Sequence, residues 1–203
     1  AGNDPAKIWQ LPDTSNMKNE IILHRAHRVN YDHSFRAAGA MLVEIGNAST
    51  TQEWELENAI NENTAAVAYI FGPRRGGAIP LRRTVEIAHQ HDIPVIEDAS
   101  QAHLAEYKGR LVGTIGAIAA YSLGGKTLTT DQGGMVITND PELARRAVGF
   151  TRKGSEMNEN LTEMLGPTSY RWGSARGYAF LGTHSPMTDL EAAVGLAQIA
   201  RWD

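Results

Sequence analysis

The chain has 203 residues, 42% of them hydrophobic and 21% charged, an ordinary globular composition with enough length for one well-buried domain. A formal net charge of −4 without a basic stripe or arm speaks against a nucleic-acid partner, and no apolar run approaches the ~20 residues of a membrane helix. The lack of cysteine excludes a disulfide framework, a thiolate metal site and a thiol nucleophile.

The opening AGNDPAKIWQ is polar and does not read as a signal peptide, so a cytoplasmic enzyme is expected. Glu20–Leu23 (EIIL) reads as a strand, and Asp32–Gly39 (DHSFRAAG) as a helix closed by its glycine. Met41–Ile45 is the next strand. Thr50–Asn63 has Trp54, Leu56, Ala59 and Ile60 near helical spacing, with acids early where the helix dipole favours them. Ala65–Phe71 is a continuous apolar strand of the kind buried on both faces. Leu81–Asp92 is a helix and Pro94–Glu97 a strand; Ala117–Ser122 and Gly134–Thr138 are two more strands. Asp140–Phe150 begins a helix with Asp140 as N-cap and Pro141 at its first position. Lys153–Tyr178 is glycine-rich and weakly periodic, and reads as a long surface loop with a short helical turn. Met187–Trp202 is a helix capped by Thr188 or Asp189. Strands alternating with helices make an α/β domain with a mainly parallel sheet. Ligands of such sheets sit beyond the carboxyl ends of the strands, so the residues just after each strand are the ones to inspect.

Tyr121–Thr130, YSLGGKTLTT, carries a lysine after two glycines at the end of an apolar run. A phosphate-binding loop, G-x-x-x-x-G-K-[ST], fits at Gly125, Lys126 and Thr127, but its first glycine falls on Ala120. Such a loop also leads into a helix facing the phosphates, whereas TLTTDQGGMVIT is β-branched, glycine-rich and ends in a strand. The acidic VIED precedes the lysine, the reverse of the order that a nucleotide loop requires.

The other chemistry is a Schiff-base lysine holding an aldehyde cofactor. It needs a neutral amine, and burial after the strand AIAAYS favours one. Gly124 and Gly125 let the backbone pass close to a flat ring. Pyridoxal phosphate (PLP) also needs a carboxylate beside its pyridine nitrogen, and Asp98 ends a strand on the ligand edge. Ser122 is placed to donate to a phosphate, and Gln101 to hydrogen-bond a ring substituent. Lys126 and Asp98 are the candidate catalytic pair; Gln101 and Ser122 are candidate cofactor contacts that also serve as ordinary partners of local backbone groups.

Residues 93–203 resemble the DegT/StrS-type sugar aminotransferases. The resemblance is carried by Glu97, Asp98, Gln101, Ala102 and His103, then Gly113, Gly116, Tyr121, Ser122, Lys126, Gly133 and Gly134. It implies the fold type I, aspartate aminotransferase-like large domain: a three-layer α/β sandwich, present here as a single partial domain over residues 1–203. It further implies PLP, small-molecule substrates (an amino donor and a keto sugar) and a homodimer. Residues 1–90 resemble instead the selenocysteine-synthase-like group, which includes PLP-dependent lyases. The two groups share the fold and the cofactor and differ in the reaction, so a lyase stays open beside the aminotransferase, as does a non-catalytic partial fold. His27, just after the strand EIIL, stands where this fold places the side chain that stacks on the ring.

The sequence departs from the family pattern in three ways. One residue fewer separates Ser122 from Lys126. In Gly182–Met187, His184 and Pro186 replace an asparagine and an arginine of the pattern. The early Gly-Thr phosphate loop and the small C-terminal domain are absent, which makes a segment or reduced variant the expectation. His103 reads as a packed loop histidine. Arg74 and Arg75 read either as an anion clamp or as a solvated turn.

Overall fold

The computed structural model describes residues 4–72, 76–152 and 185–201. Arg74, Arg75, His184 and the Lys153–Tyr178 stretch lie outside the described residues. The chain falls into two compact units, one of Ala1–Leu11 with Asp140–Pro186, the other of Pro12–Asn139 with Met187–Asp203.

The larger unit is built on a six-stranded sheet of β1 (Glu20–His24), β2 (Met41–Ile45), β3 (Thr64–Ile70), β4 (Val95–Asp98), β7 (Ile118–Ser122) and β8 (Gly134–Ile137), in the order β2-β1-β3-β4-β7-β8. A small hairpin, β5 (Glu106–Tyr107) and β6 (Arg110–Leu111), stands apart as its own sheet. The first five strands of the main sheet pair in parallel, and β8 pairs antiparallel to β7. That reversal follows from the link. Parallel strands need a crossover of roughly a dozen residues or more, usually helical, and Leu123–Gly133 contains no helix.

Side chains alternate across a strand, so each strand feeds two layers. Ile22, Val67 and Val95 point to one face and pack with Leu56 of α3 (Glu53–Ala59) and with Leu81, Val85, Ile87 and Ala88 of α4 (Leu81–Gln90). Ile21, Leu23, Ala66, Ala68 and Ile70 point to the other face, against Val29, Leu42 and Phe35 of the short α2 (His33–Ala37). The result is the expected three-layer α/β sandwich. Ile22, Leu23, Val67 and Val95 are fully buried, each contributing roughly 1.5–3 kcal/mol of transfer free energy.

α3 is shorter than its apolar spacing predicts. Ile60 turns extended (ψ 127°), Asn61 N–H donates to the Thr64 hydroxyl at 3.0 Å, and Asn61 Oδ1 accepts from Asn63 N–H at 2.7 Å. These local bonds replace the next helical turn.

In the smaller unit, α1 (Pro5–Gln10) precedes α5 (Pro141–Thr151) in the chain. Asp140 caps α5 as expected, accepting from Glu142 N–H at 2.8 Å and Leu143 N–H at 3.1 Å. Glu142 then pairs with Arg145 and Arg146 along the exposed side of the helix. The last helix, α6 (Asp189–Ile199), belongs to the larger unit and starts from a Thr188–Glu191 capping box. No helix among the described residues is long and apolar enough to cross a membrane.

Candidate active site

The strand VIED divides two acids between two tasks. Glu97 points to the α3–α4 face with Val95 and is fully buried. Its carboxylate accepts backbone N–H groups from Gly113 at 2.7 Å, Ile115 at 2.7 Å and Gly116 at 2.5 Å. Both spaced glycines are sterically required there. A Cβ on Gly116 would stand 2.6 Å from the Val95 carbonyl, and Gly113 has φ +88° with the Tyr121 hydroxyl 2.4 Å from its Cβ position. Tyr121 Oη donates in turn to the Val112 carbonyl. Burial, followed by the Glu97 charge, pushes the Tyr121 hydroxyl up from its ordinary value. Glu97 is thus the anchor of the link between β4 and β7, a role for which the sequence offered only its place in the pattern.

Asp98 points to the other face, at the carboxyl end of β4, and is half-buried. Its Oδ1 accepts from Ser100 N–H at 3.0 Å; Oδ2 takes no hydrogen bond among the described residues. Asp98 lies in register with Ala120 on β7, so Ser122, two residues on at the end of that strand, shares its face. Ser122 Oγ accepts from Gly124 N–H at 3.3 Å. Gln101 is exposed in the turn after β4.

Lys126 stands half-buried in the loop joining β7 to β8. The neck of that loop is closed by Leu123 N–H to the Gly133 carbonyl at 2.9 Å and Thr130 N–H to the Leu123 carbonyl at 3.0 Å. Thr129 braces the interior: its hydroxyl donates to the Leu123 carbonyl and accepts from the N–H groups of Gly125 and Asp131. Every ion pair among the described residues uses an arginine, so Lys126 has no carboxylate partner there.

His103 enters this neighbourhood as well. Its ring lies 5.5 Å from the Tyr121 ring, tilted by 37°. Its pKa is lowered, first by burial; the bond to Ser122 opposes the shift, and the charge of Lys126 adds to it. The sequence placed this histidine in packing, and its ring packs against Tyr121.

His27 is buried at the ends of β1 and β3. Its Nδ1 accepts from Ile70 N–H at 3.3 Å, and its ring meets Tyr69 edge-on at 4.6 Å. His24 lies 5.0 Å from His27 and 5.7 Å from Tyr69, fully buried, with neither ring nitrogen hydrogen-bonded among the described residues. Burial lowers its pKa to about 4, with the Glu55 charge offsetting part of the shift. Burial, then Tyr107, pushes Tyr69 up to about 12, against a hydrogen bond to the Leu81 backbone. Tyr69 is in register with Glu97, so this aromatic group lies under the α3–α4 face, opposite the face of Asp98.

The donor set at the ends of β4 and β7 suits PLP: an amine for the aldehyde, a carboxylate oxygen for the ring nitrogen, a hydroxyl for the phosphate and an amide for the ring oxygen. Gly125 leaves open space where a Cβ would stand, which suits the approach of a flat ring. A cavity of about 70 Å³ lined by Gly113, Gly116, Ala117 and Thr138 lies at the opposite end of β7 and takes no part in this site.

A parallel α/β sheet with a lysine and an aspartate at neighbouring carboxyl ends defines the class, and comparison with known proteins supplies the family. The chain belongs to the DegT/DnrJ/EryC1/StrS aminotransferase family, whose model matches residues 36–203. GDP-perosamine synthase of Escherichia coli O157:H7 is 29% identical over 189 residues, covering 91% of this chain and 47% of that protein. D-Glucosaminate-6-phosphate ammonia lyase of Salmonella typhimurium is 34% identical over 103 residues, covering 48% of this chain and 28% of the lyase. The structure of Helicobacter pylori PseC, an aminotransferase involved in the biosynthesis of pseudoaminic acid, superposes with a TM-score of 0.71 at 23% identity, a likeness of fold. It covers 96% of this chain and 49% of PseC, so the chain spans about half the length of such relatives.

Proposed function

We propose that the chain carries the cofactor-binding part of a PLP-dependent aminotransferase that moves an amino group from an amino acid to a keto sugar, one linked to a nucleotide. The observation that carries this reading is Lys126, half-buried and, among the described residues, without an ion-pair partner, one strand away from an Asp98 whose Oδ2 takes no hydrogen bond among those residues. When bound, PLP supplies an aldehyde for amine exchange and a ring that withdraws electrons from the substrate carbon. Lys126 Nζ would hold that aldehyde carbon and, once displaced by the donor, take a proton from the amino acid's α-carbon and return it on the far side of the transfer. Asp98 Oδ2 would accept from the ring N–H and keep that proton in place. Ser122 Oγ would hold the phosphate and Gln101 the ring oxygen; His27, expected from the sequence to stack on the ring, is buried against Tyr69 on the opposite face and is left out of this assignment.

Borohydride reduction in the presence of PLP, followed by peptide mapping, tests the assignment: the label is expected on Lys126, and label elsewhere or none refutes it. A half-reaction with glutamate separates two activities. Formation of pyridoxamine phosphate supports amino transfer, whereas release of ammonia with a keto acid supports the lyase that the similarity to the ammonia lyase suggests.

The same reading takes the protein to be a cytoplasmic homodimer that acts on small molecules. α6 leaves Leu190 81% and Leu196 69% exposed, with Val194 and Ile199 half-exposed. A helix apolar round most of its circumference is one that another surface covers, and a second copy fits that need. Light scattering at micromolar concentration tests it, a monomer being the refuting result.

A further inference from the structure

We propose that Gly195 is a positioning residue for Lys126: because it has no side chain, α6 lies directly against Thr130, and Thr130 closes the loop on which the amine stands. The proposal deepens the reading of Lys126 given above and rests on it.

Gly195 is out of place by helix propensity alone. It stands in the run Leu190–Ile199, LEAAVGLAQI, mostly among strong helix formers, and glycine weakens a helix interior more than any residue but proline. It is buried, whereas Leu190 and Leu196 of the same helix are exposed. Its surroundings give the reason. A Cβ at Gly195 would stand 2.9 Å from Thr130 Cγ2, well inside the ~3.5–4.0 Å at which carbon atoms pack. Just before the helix, Met187 makes a second approach to the same loop: its Cε lies 3.5 Å from where a Cβ on Gly133 would stand.

Thr130 has little freedom to turn aside. It is buried, its hydroxyl donates to the Gln132 carbonyl, and its N–H donates to the Leu123 carbonyl at 3.0 Å. Rotating the side chain away from a new methyl breaks the first bond, and moving the backbone stretches the second. The Leu123 carbonyl also accepts from the Thr129 hydroxyl at 2.9 Å, and that hydroxyl accepts from Gly125 N–H at 3.1 Å. Gly125 is the residue before Lys126. An unbroken line of contacts thus runs from α6 through Thr130, Leu123 and Thr129 to the backbone beside the amine.

Two substitutions, made singly and together, test this. Gly195→Ala sets a methyl against Thr130 Cγ2; Thr130→Ser removes Cγ2 and keeps the hydroxyl and the N–H. In the protein without cofactor, amide hydrogen exchange at Thr130 and Leu123 should quicken roughly tenfold in Gly195→Ala, the size expected when a methyl is forced into filled space. Exchange at Val67 in the central sheet should stay within about twofold, because the strain is local. At equal PLP, borohydride trapping on Lys126 should fall roughly fivefold in Gly195→Ala. Adding Thr130→Ser should return both readings to within about twofold of Thr130→Ser alone. Such a rescue depends on one methyl contact, so a general loss of stability does not produce it. Exchange at Thr130 that is unchanged in Gly195→Ala overturns the proposal, as does a double variant no better than Gly195→Ala. Where Gly195→Ala is too unstable to measure, the double variant decides: folding with restored trapping supports the proposal, and failure to fold overturns it. Absence of label on Lys126 in the wild type refutes the lysine's assignment and the proposal together. Label on Lys126 that is indifferent to Gly195→Ala refutes the proposal alone.

Discussion

His24 makes the folded chain sensitive to acid in a way that can be measured. Its ring titrates at about 4 in the fold against an ordinary 6.5, because burial removes its water and the Glu55 charge offsets only part of that. On acidification the unfolded chain therefore takes up a proton before the folded chain does. The contribution is complete above pH 6.5, shrinks as the pH falls through the window between 6.5 and about 4, and is gone below it. At ~1.4 kcal/mol per pH unit the window is worth roughly 3 kcal/mol, of which about 2.5 kcal/mol is spent by about pH 4.5. His24→Phe leaves a ring among His27 and Tyr69 and removes the titration. Urea unfolding at about pH 7.5 and about pH 4.5 should give a loss of stability about 2.5 kcal/mol larger for wild type than for the variant. Parallel losses in the two proteins would refute the reasoning, since the acid sensitivity would then arise elsewhere.

Glu97→Gln turns an amide nitrogen toward at least one backbone N–H of the Gly113–Gly116 link. It should cost about 2–4 kcal/mol in urea unfolding; a cost under about 1 kcal/mol means the carboxylate clamp is not what holds the link. Leu104 sits at φ +55° with its side chain 60% exposed, so Leu104→Gly relieves backbone strain and sacrifices little packing. Part of the gain is returned as chain entropy, leaving about 0.5 kcal/mol of stabilisation; a lower melting temperature would contradict the account. Asp140→Ala removes the cap of α5 and should lower stability by about 1 kcal/mol, with Asp140→Ser retaining most of it. Equal losses in the two variants would show that the cap is not the source.

The parallel core was legible because its strands are apolar runs buried on both faces, as Ala65–Phe71 shows, and because Gly39 and Asp140 mark helix ends. The hairpin of β5 and β6 was not, since two-residue strands carry no period to detect. The direction of β8 was also hidden: alternation of side chains is the same in both directions, and only the length of the link to β7 distinguishes them. At the site, Lys126 and Asp98 stood out because each follows an apolar strand. Glu97 and His24 did not, because a polar residue at a strand end looks exposed until the segment that covers it is known. For Glu97 that segment comes sixteen residues later, and its three N–H groups carry no side-chain signal at all.

The closed neck of the Leu123–Gly133 loop bears on how this region can change over generations. With both ends tied by backbone bonds and β8 returning directly alongside β7, a gain or loss of one residue inside the loop alters only the circuit between them. The strand register, and with it the face on which Asp98 and Ser122 stand, does not record the change. Changing the length of a flexible loop costs only a few tenths of a kcal/mol in closure entropy. The spacing from Ser122 to Lys126, one residue shorter than in the pattern the sequence resembles, is therefore a length that the scaffold accommodates at small cost.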